Sequence, residues 1–374
     1  MEPVIELMQN LVQTDTTVGH SEDGARILKE FFGDNGISAQ LDNYEKGEAN
    51  VIASIGPKEA PSIIISGHID TVPFGNIEDW KYHPLSGKIV EGNMWGRGTV
   101  DMKGGTSALA QALVDLVNVE DQLQYRIVFA GTAQEEVGLL GAKVLERQGI
   151  MKDATHLIIG EPTDLEPKSF EKGIIWFDII AIGKQAHASR PDLGNNAIEA
   201  LGRLMPKLKK ILPDHSIPEV GKTTINFGKI SGGTAYNVVA EEARLSCDIR
   251  TTPGVDNQEV IDRVKQLLSS MDDGIDYRFE FVQEDRAVQS QTKDFPLMVK
   301  KVTEEIRGTQ VEIGGTYYAT DAAAFMANKD LPMVIFGPGS TKLLHQRNEH
   351  CPIEQVLQAR KIYTQILRNL NDLS

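Results

Sequence analysis

The first half of the chain contains three short apolar runs that each end on a histidine or an acid. Ile63-Ile64-Ile65-Ser66-Gly67 leads into His68-Ile69-Asp70, the strand pattern of Arg126–Thr132 into Gln134-Glu135-Glu136, and Leu157-Ile158-Ile159-Gly160 into Glu161. Such runs read as buried strands, and helical stripes separate them, one over about 105–117 (Ala108, Leu109, Ala112, Leu113, Leu116) and one near 139–148. The pattern predicts an α/β sheet covered on both faces, with sites beyond the strand ends. The adjacent carboxylates of Glu135 and Glu136 repel each other, and burying them is costly unless cations or protons intervene. Asp101, within Gly96-Arg97-Gly98-Thr99-Val100-Asp101-Met102-Lys103-Gly104-Gly105, and His345, in a Gly/Pro-rich segment, extend the set. Five oxygen or nitrogen ligands and one spare glutamate suit a two-metal hydrolase.

At 374 residues the chain exceeds the size at which one core stops growing, so two domains are expected. Val4, Ile5, Met8, Leu11 and Val12 form one helical stripe; Ile27, Leu28, Phe31 and Phe32 form another, with Ser21 as its predicted cap and Gly33 as its stop. Strands follow at 38–43, 50–55 and 62–66. A different rhythm begins at Gly173: strand 174–182, helix 196–212, strands 223–230 and 243–250, helix 257–271 and strand 276–282. This β-α-β-β-α-β order is the ferredoxin-like pattern. Alternation resumes after Arg286 and ends in a helix over about 353–370. Because His345 must rejoin the other ligands, residues 1–172 and 287–374 are expected to form one catalytic domain, helix-flanked around a mixed sheet, with 173–286 inserted as a ferredoxin-like lid.

The formal net charge of −15 argues against nucleic acid and against an anionic membrane surface as partners. Two cysteines, Cys247 and Cys351, cannot build a disulfide framework, and Cys247 reads as a small core residue. The first residues carry no basic, continuously apolar leader, and no segment approaches a transmembrane span, so a cytoplasmic protein is expected.

Several segments together resemble the dinuclear zinc amidohydrolases and peptidases called M20. They are Ser66-Gly67-His68-Ile69-Asp70-Thr71-Val72-Pro73, the Gly96 to Gly105 segment, Gln134-Glu135-Glu136-Val137-Gly138, Gly160-Glu161-Pro162-Thr163, Ala186-His187-Ala188-Ser189-Arg190-Pro191 and His345-Gln346-Arg347-Asn348-Glu349. They span nearly the whole chain in family order. The resemblance implies that His68, Asp101 and Glu161 hold one metal and Asp101, Glu136 and His345 the other, Asp101 bridging. The donors suit zinc and tolerate cobalt or manganese. It further implies that Asp70 accepts the second ring N–H of His68, the alternative being a turn cap. Glu135, left over after coordination, would be the general base and acid.

His187 matches the family histidine that reaches the partner subunit's site as an oxyanion donor, which implies a homodimer through the lid; read alone it is a surface loop residue. Asn237, in Gly232-Gly233-Thr234-Ala235-Tyr236-Asn237, and Arg250 resemble the family's substrate contacts; read alone, Arg250 is a surface ion pair with Asp248. Asp321 is expected to cap the helix after it, and His350 competes with His345 for the ligand role. The resemblance is nearest the acetylornithine deacetylase and succinyl-diaminopimelate desuccinylase branch, although Lys172 stands where desuccinylases tend to carry arginine. The expected substrate is an N-acyl amino acid or short peptide, with a dipeptidase or carboxypeptidase as the alternative. A binding protein with a degenerate, metal-free site is the non-enzymatic alternative, and the completeness of the ligand set speaks against it.

Overall fold

The computed structural model describes residues 1–372, which form two compact units. The first comprises Met1–Ser169, Gln289–Gly315 and the chain from Thr320 onward; the second comprises Phe170–Val288 with Thr316–Ala319. In chain order, the first unit contributes helices α1 (Pro3–Gln13) and α2 (Ser21–Asp34), then strands β1 (Ala39–Glu45), β2 (Glu48–Ile55) and β3 (Ser62–His68). Helix α3 (Gly104–Val114), strand β4 (Arg126–Thr132), helix α4 (Leu140–Arg147) and strand β5 (Ala154–Ile159) follow. Strand β6 (Gly173–Ile182), helix α5 (Ala197–Ile211), strands β7 (Thr224–Gly232) and β8 (Glu242–Thr251), helix α6 (Asn257–Ser269) and strand β9 (Asp276–Asp285) build the second unit. Helices α7 (Asp294–Arg307) and α8 (Asp321–Phe325), strand β10 (Met333–Ile335) and helix α9 (Ile353–Asp372) return to the first.

The strands named for the first unit lie in the order β1-β2-β4-β3-β5-β10 in a nine-stranded sheet, which the short strands Lys168–Glu171, Val288–Gln289 and Gly314–Thr316 continue beyond β10. Strands β4, β3, β5 and β10 run parallel, while β1 and β2 join antiparallel at one side. Every residue of β3 is buried. Ile63, Ile65, Ile127, Phe129 and Ile158 share an apolar cluster with α1, α2, α3, α7 and α9. The alternate residues Ile64, Val128 and Leu157 are equally sealed on the opposite face. Burying each such side chain contributes about 1.5–3 kcal/mol. Because three parallel strands stand side by side, His68, the segment after Thr132 and the segment after Ile159 emerge at one edge. Gly105 permits this crowding: a Cβ there would stand 1.8 Å from the Gly160 carbonyl oxygen, so α3 can start against the end of β5.

Two local expectations fail. Ser21 is the first residue of α2, not its cap, and its hydroxyl hydrogen-bonds the buried Glu48 carboxylate of β2 instead. The helix also continues through Gly33, and the chain leaves it at Gly36, whose φ of +78° suits glycine. A small antiparallel sheet of Lys88–Val90, Asn93–Trp95 and His350–Pro352 has no counterpart in the expected elements; three-residue strands carry too little periodicity to register.

In the second unit the order is β9-β6-β8-β7 with every pairing antiparallel, the ferredoxin-like arrangement. Ile175, Phe177 and Ile179 of β6 and Leu245, Cys247 and Ile249 of β8 pack with α5 and α6. Asn196 caps α5 through the N–H groups of Ile198 and Glu199, and Asp256 caps α6 through that of Gln258. Cys247 is a core residue, and burial pushes its thiol up to about 12. Among the described residues no helix is long and apolar enough to cross a membrane.

Candidate metal centre

The edge where β3, β4 and β5 end gathers all five expected ligands and Glu135. His68 Nε2 lies 2.9 Å from Asp101 Oδ1 and 3.6 Å from Glu161 Oε1. The other oxygen of Asp101 lies 3.2 Å from His345 Nε2, which in turn is 3.0 Å from Glu136. Asp101 therefore faces both imidazoles, one oxygen to each. Ligand atoms of His68, Asp101 and Glu136 all lie within 4.8 Å of one another, as do those of His68, Glu135 and Glu161. His350 stands apart, stacked on Trp95 at 4.2 Å with its Nδ1 2.8 Å from the Asn348 carbonyl.

Asp70 works differently from the expectation. His68 Nδ1 lies 2.9 Å from the backbone oxygen of Asp70 and 3.7 Å from its carboxylate. The ring N–H thus goes to the carbonyl, which orients the imidazole equally well. The Asp70 carboxylate accepts the backbone N–H groups of Glu135 and Glu136 at 3.0 and 3.1 Å. It holds the turn that presents both glutamates, a turn entered through Gln134 at φ +56°. Asp321 is also reassigned. The hydroxyl of Thr320 caps α8 by accepting the Ala322 N–H, and the buried Asp321 carboxylate receives the hydroxyl of Thr132 at the end of β4.

Five carboxylates (Asp70, Asp101, Glu135, Glu136, Glu161) surround two imidazoles. Burial raises Glu135, with Glu161 and Glu136 adding to the effect; burial followed by the Asp101 charge raises Glu136 and Glu161. Burial also raises Asp70, against the opposing pull of His68. For Asp101 burial acts the same way, but hydrogen bonds with His345 and His68 outweigh it and hold the group well below the usual carboxylate range. Burial would lower His68, yet its bond to Asp101 and the charges of Glu161 and Glu135 raise it; bonds to Asp101 and Glu136 push His345 up to about 10. Asp101 excepted, the acids are pushed up, and both imidazoles are pushed up as well, the expected result of crowding this many carboxylates together. Imidazole and carboxylate donors at this spacing fit divalent ions of the zinc, cobalt or manganese type.

The second unit carries the other expected residues. His187 is exposed on the loop after β6, bridged to Val238, and its Nδ1 accepts the Ser189 N–H at 3.1 Å. The carbonyl of Asn237 accepts the Ala188 N–H at 3.0 Å, so the two loops lie together. Arg250 is engaged by Asp248, Nε to Oδ1 at 2.9 Å and Nη2 to Oδ2 at 3.1 Å, the ion pair that its spacing on β8 allows. Lys172 is buried, its ammonium donating to the Lys222 carbonyl at 2.6 Å.

Sequence reasoning missed the roles of Arg97, Glu349 and Lys103. All three are buried and polar at the loop bearing Asp101, and Lys103 Nζ donates to the Leu11 and Thr14 carbonyls at 2.8 and 3.2 Å. The signal was present, since each lies inside or beside a segment already singled out.

Residues 64–369 match the model of Peptidase family M20/M25/M40. The chain is 30% identical to a probable succinyl-diaminopimelate desuccinylase of Staphylococcus aureus strain Mu50, over 93% of this chain and 94% of the relative. It is 29% identical to an acetylornithine deacetylase of Aliivibrio salmonicida, over 92% of each chain. Among solved structures, the M20 family metallo-carboxypeptidase Sso-CP2 from Sulfolobus solfataricus shares the fold with a TM-score of 0.81 at 18% identity, over 98% of this chain and 99% of that one. With its ligand-type side chains converging at the ends of parallel strands, the chain belongs to Peptidase family M20/M25/M40, a family of metal-dependent hydrolases.

Proposed function

We propose that the protein hydrolyses the N-acyl amide bond of a small amino acid or diamino acid, as an acetylornithine deacetylase or succinyl-diaminopimelate desuccinylase would. The observation that carries this reading is the convergence of His68, Asp101, Glu136, Glu161 and His345 around Asp101, with the Glu135 carboxylate beside them and without a hydrogen bond among the described residues. Relatives bearing those two names, at 30% and 29% identity over most of their length, favour an acyl group over a peptide.

In this reading His68, Asp101 and Glu161 hold one divalent ion, and Asp101, Glu136 and His345 hold a second, zinc being the first choice. Bound ions of this kind polarise a carbonyl and lower the pKa of water. Glu135 takes a proton from the attacking water and returns it to the leaving amine nitrogen. The carbonyl oxygen gains charge as the tetrahedral intermediate forms and needs a donor. His187 suits that task. Its Nδ1 accepts an N–H from Ser189, so the neutral ring keeps its proton on Nε2, which has no partner among the described residues. Arg250 would exchange Asp248 for the substrate carboxylate, which its fork matches, and Asn237, whose loop lies with that of His187 at the other end of β8, would contact the substrate from there.

The same reading makes residues 1–172 and 287–374 the catalytic domain and 173–286 a lid through which two copies pair, the partner subunit's His187 completing each site. Strand β7 supports pairing: it lies at the sheet edge, largely exposed, with backbone groups open to another strand. A panel assay with zinc or cobalt tests the substrate class. N-acetylornithine or N-succinyl-diaminopimelate should turn over faster than dipeptides; faster cleavage of dipeptides moves the activity to a peptidase working at the same site.

A further inference from the structure

Glu349 is fully buried and holds no place in the ligand set above. Its carboxylate is nevertheless the most heavily bonded acid near the centre. One oxygen accepts Arg97 Nη1 at 2.8 Å and the Gly98 N–H at 3.1 Å; the other accepts the Val100 N–H at 2.7 Å and the Asp101 N–H at 3.1 Å. Its backbone oxygen accepts the Gly96 N–H at 3.1 Å. Arg97 reaches back to the Gln346 carbonyl at 3.2 Å, so both ends of this ion pair fasten the same two segments.

Those segments are the one bearing Asp101 and the one bearing His345, four residues before Glu349. Both are irregular. Gly98, His345 and Asn348 have φ of +83°, +57° and +62°, and the N–H groups of Val100 and Asp101 have Glu349 as their acceptor. Asp101 faces both imidazoles, so a shift of its backbone relative to His345 alters both halves of the centre at once.

We propose that Glu349 is a positioning residue for the metal centre: it locks the backbone of Asp101 to the loop of His345 and so holds the two sets of residues that would bind the ions in register. The inference rests on the proposed two-ion reading. Groups that orient metal ligands in this way typically change metal affinity by about 10–100-fold when altered.

Cobalt(II) alone is the probe, titrated into the metal-stripped full chain and followed by its visible absorption and by chelator competition. Wild type should take up two equivalents. Glu349→Gln replaces two acceptor positions by a donor and should weaken at least one binding step about 10–100-fold. Glu349→Asp keeps the charge beside Arg97 but withdraws it from the Val100 and Asp101 N–H groups, and should weaken the same step to a lesser degree. Should Glu349→Gln fail to fold, Glu349→Asp decides alone. Both steps at wild-type affinity in a folded variant, with only the melting temperature of the ion-free chain lowered, would mean a purely structural role and overturn the inference. A wild-type chain that binds no cobalt overturns the proposed function instead.

Discussion

The two units bury their polar residues in opposite ways. At the strand edge of the first, His68, Asp70, Asp101 and Glu161 are packed away from water, Glu135 and Glu136 are half-buried, and the exposed His345 closes the cluster by bonding Glu136 across more than two hundred residues of sequence. In the second, the candidate residues sit at or near the surface and bond to neighbours two positions away: His187 to Ser189, Arg250 to Asp248. The first pattern is a site built before any ligand arrives. The second consists of local pairs near the surface that would give way to substrate in the proposed reading, so its residues should matter for turnover and little for stability.

The sharpest break between the units would come from Glu135→Gln. That substitution should lower kcat by about 10²–10⁴-fold while cobalt stoichiometry stays at the wild-type value; near-normal turnover would remove Glu135 from the chemistry. Stripping the ions comes next. If ions relieve the crowding of acids in the first unit, zinc at about 1,000 times its dissociation constant should stabilise the chain by about 4 kcal/mol. Calorimetry should show this gain vanish in Asp101→Ala and persist in His187→Ala; a gain lost equally in both would erase the contrast.

His187→Ala should reduce kcat by about 10²–10³-fold with an unchanged melting temperature. Mixing it with Glu135→Gln subunits should recover part of the activity, and absence of recovery would argue that the histidine serves its own chain. Smallest of all, Asp178→Ala removes one side of the Arg244 ion pair at 2.6 Å on the open face of the second sheet. It should shift unfolding by less than about 1 kcal/mol, and a larger shift would mean that this face is covered in solution.

The same contrast explains what could be read in advance. Uniformly apolar runs announce parallel strands, and His68, Glu136 and Glu161 stand just beyond them, so the meeting point of these residues follows from topology. The alternation after Gly173 likewise translates into the ferredoxin-like sheet. Hydrogen-bond choices among buried acids were not legible. Asp70 serves two backbone N–H groups 65 and 66 residues on, and Glu349 serves Asp101 across 248. Neither partner leaves a periodic trace. Ser21 shows the same limit at a helix end, where a buried glutamate from β2 outcompeted the local cap.

A crystal grown with ample zinc gives the most direct test of the central claim. Two ion peaks should appear at the edge of β3, β4 and β5, one beside His68 and Glu161, the other beside Glu136 and His345, with an oxygen of Asp101 directed at each. A map with these side chains turned apart and no ion between them would contradict the account.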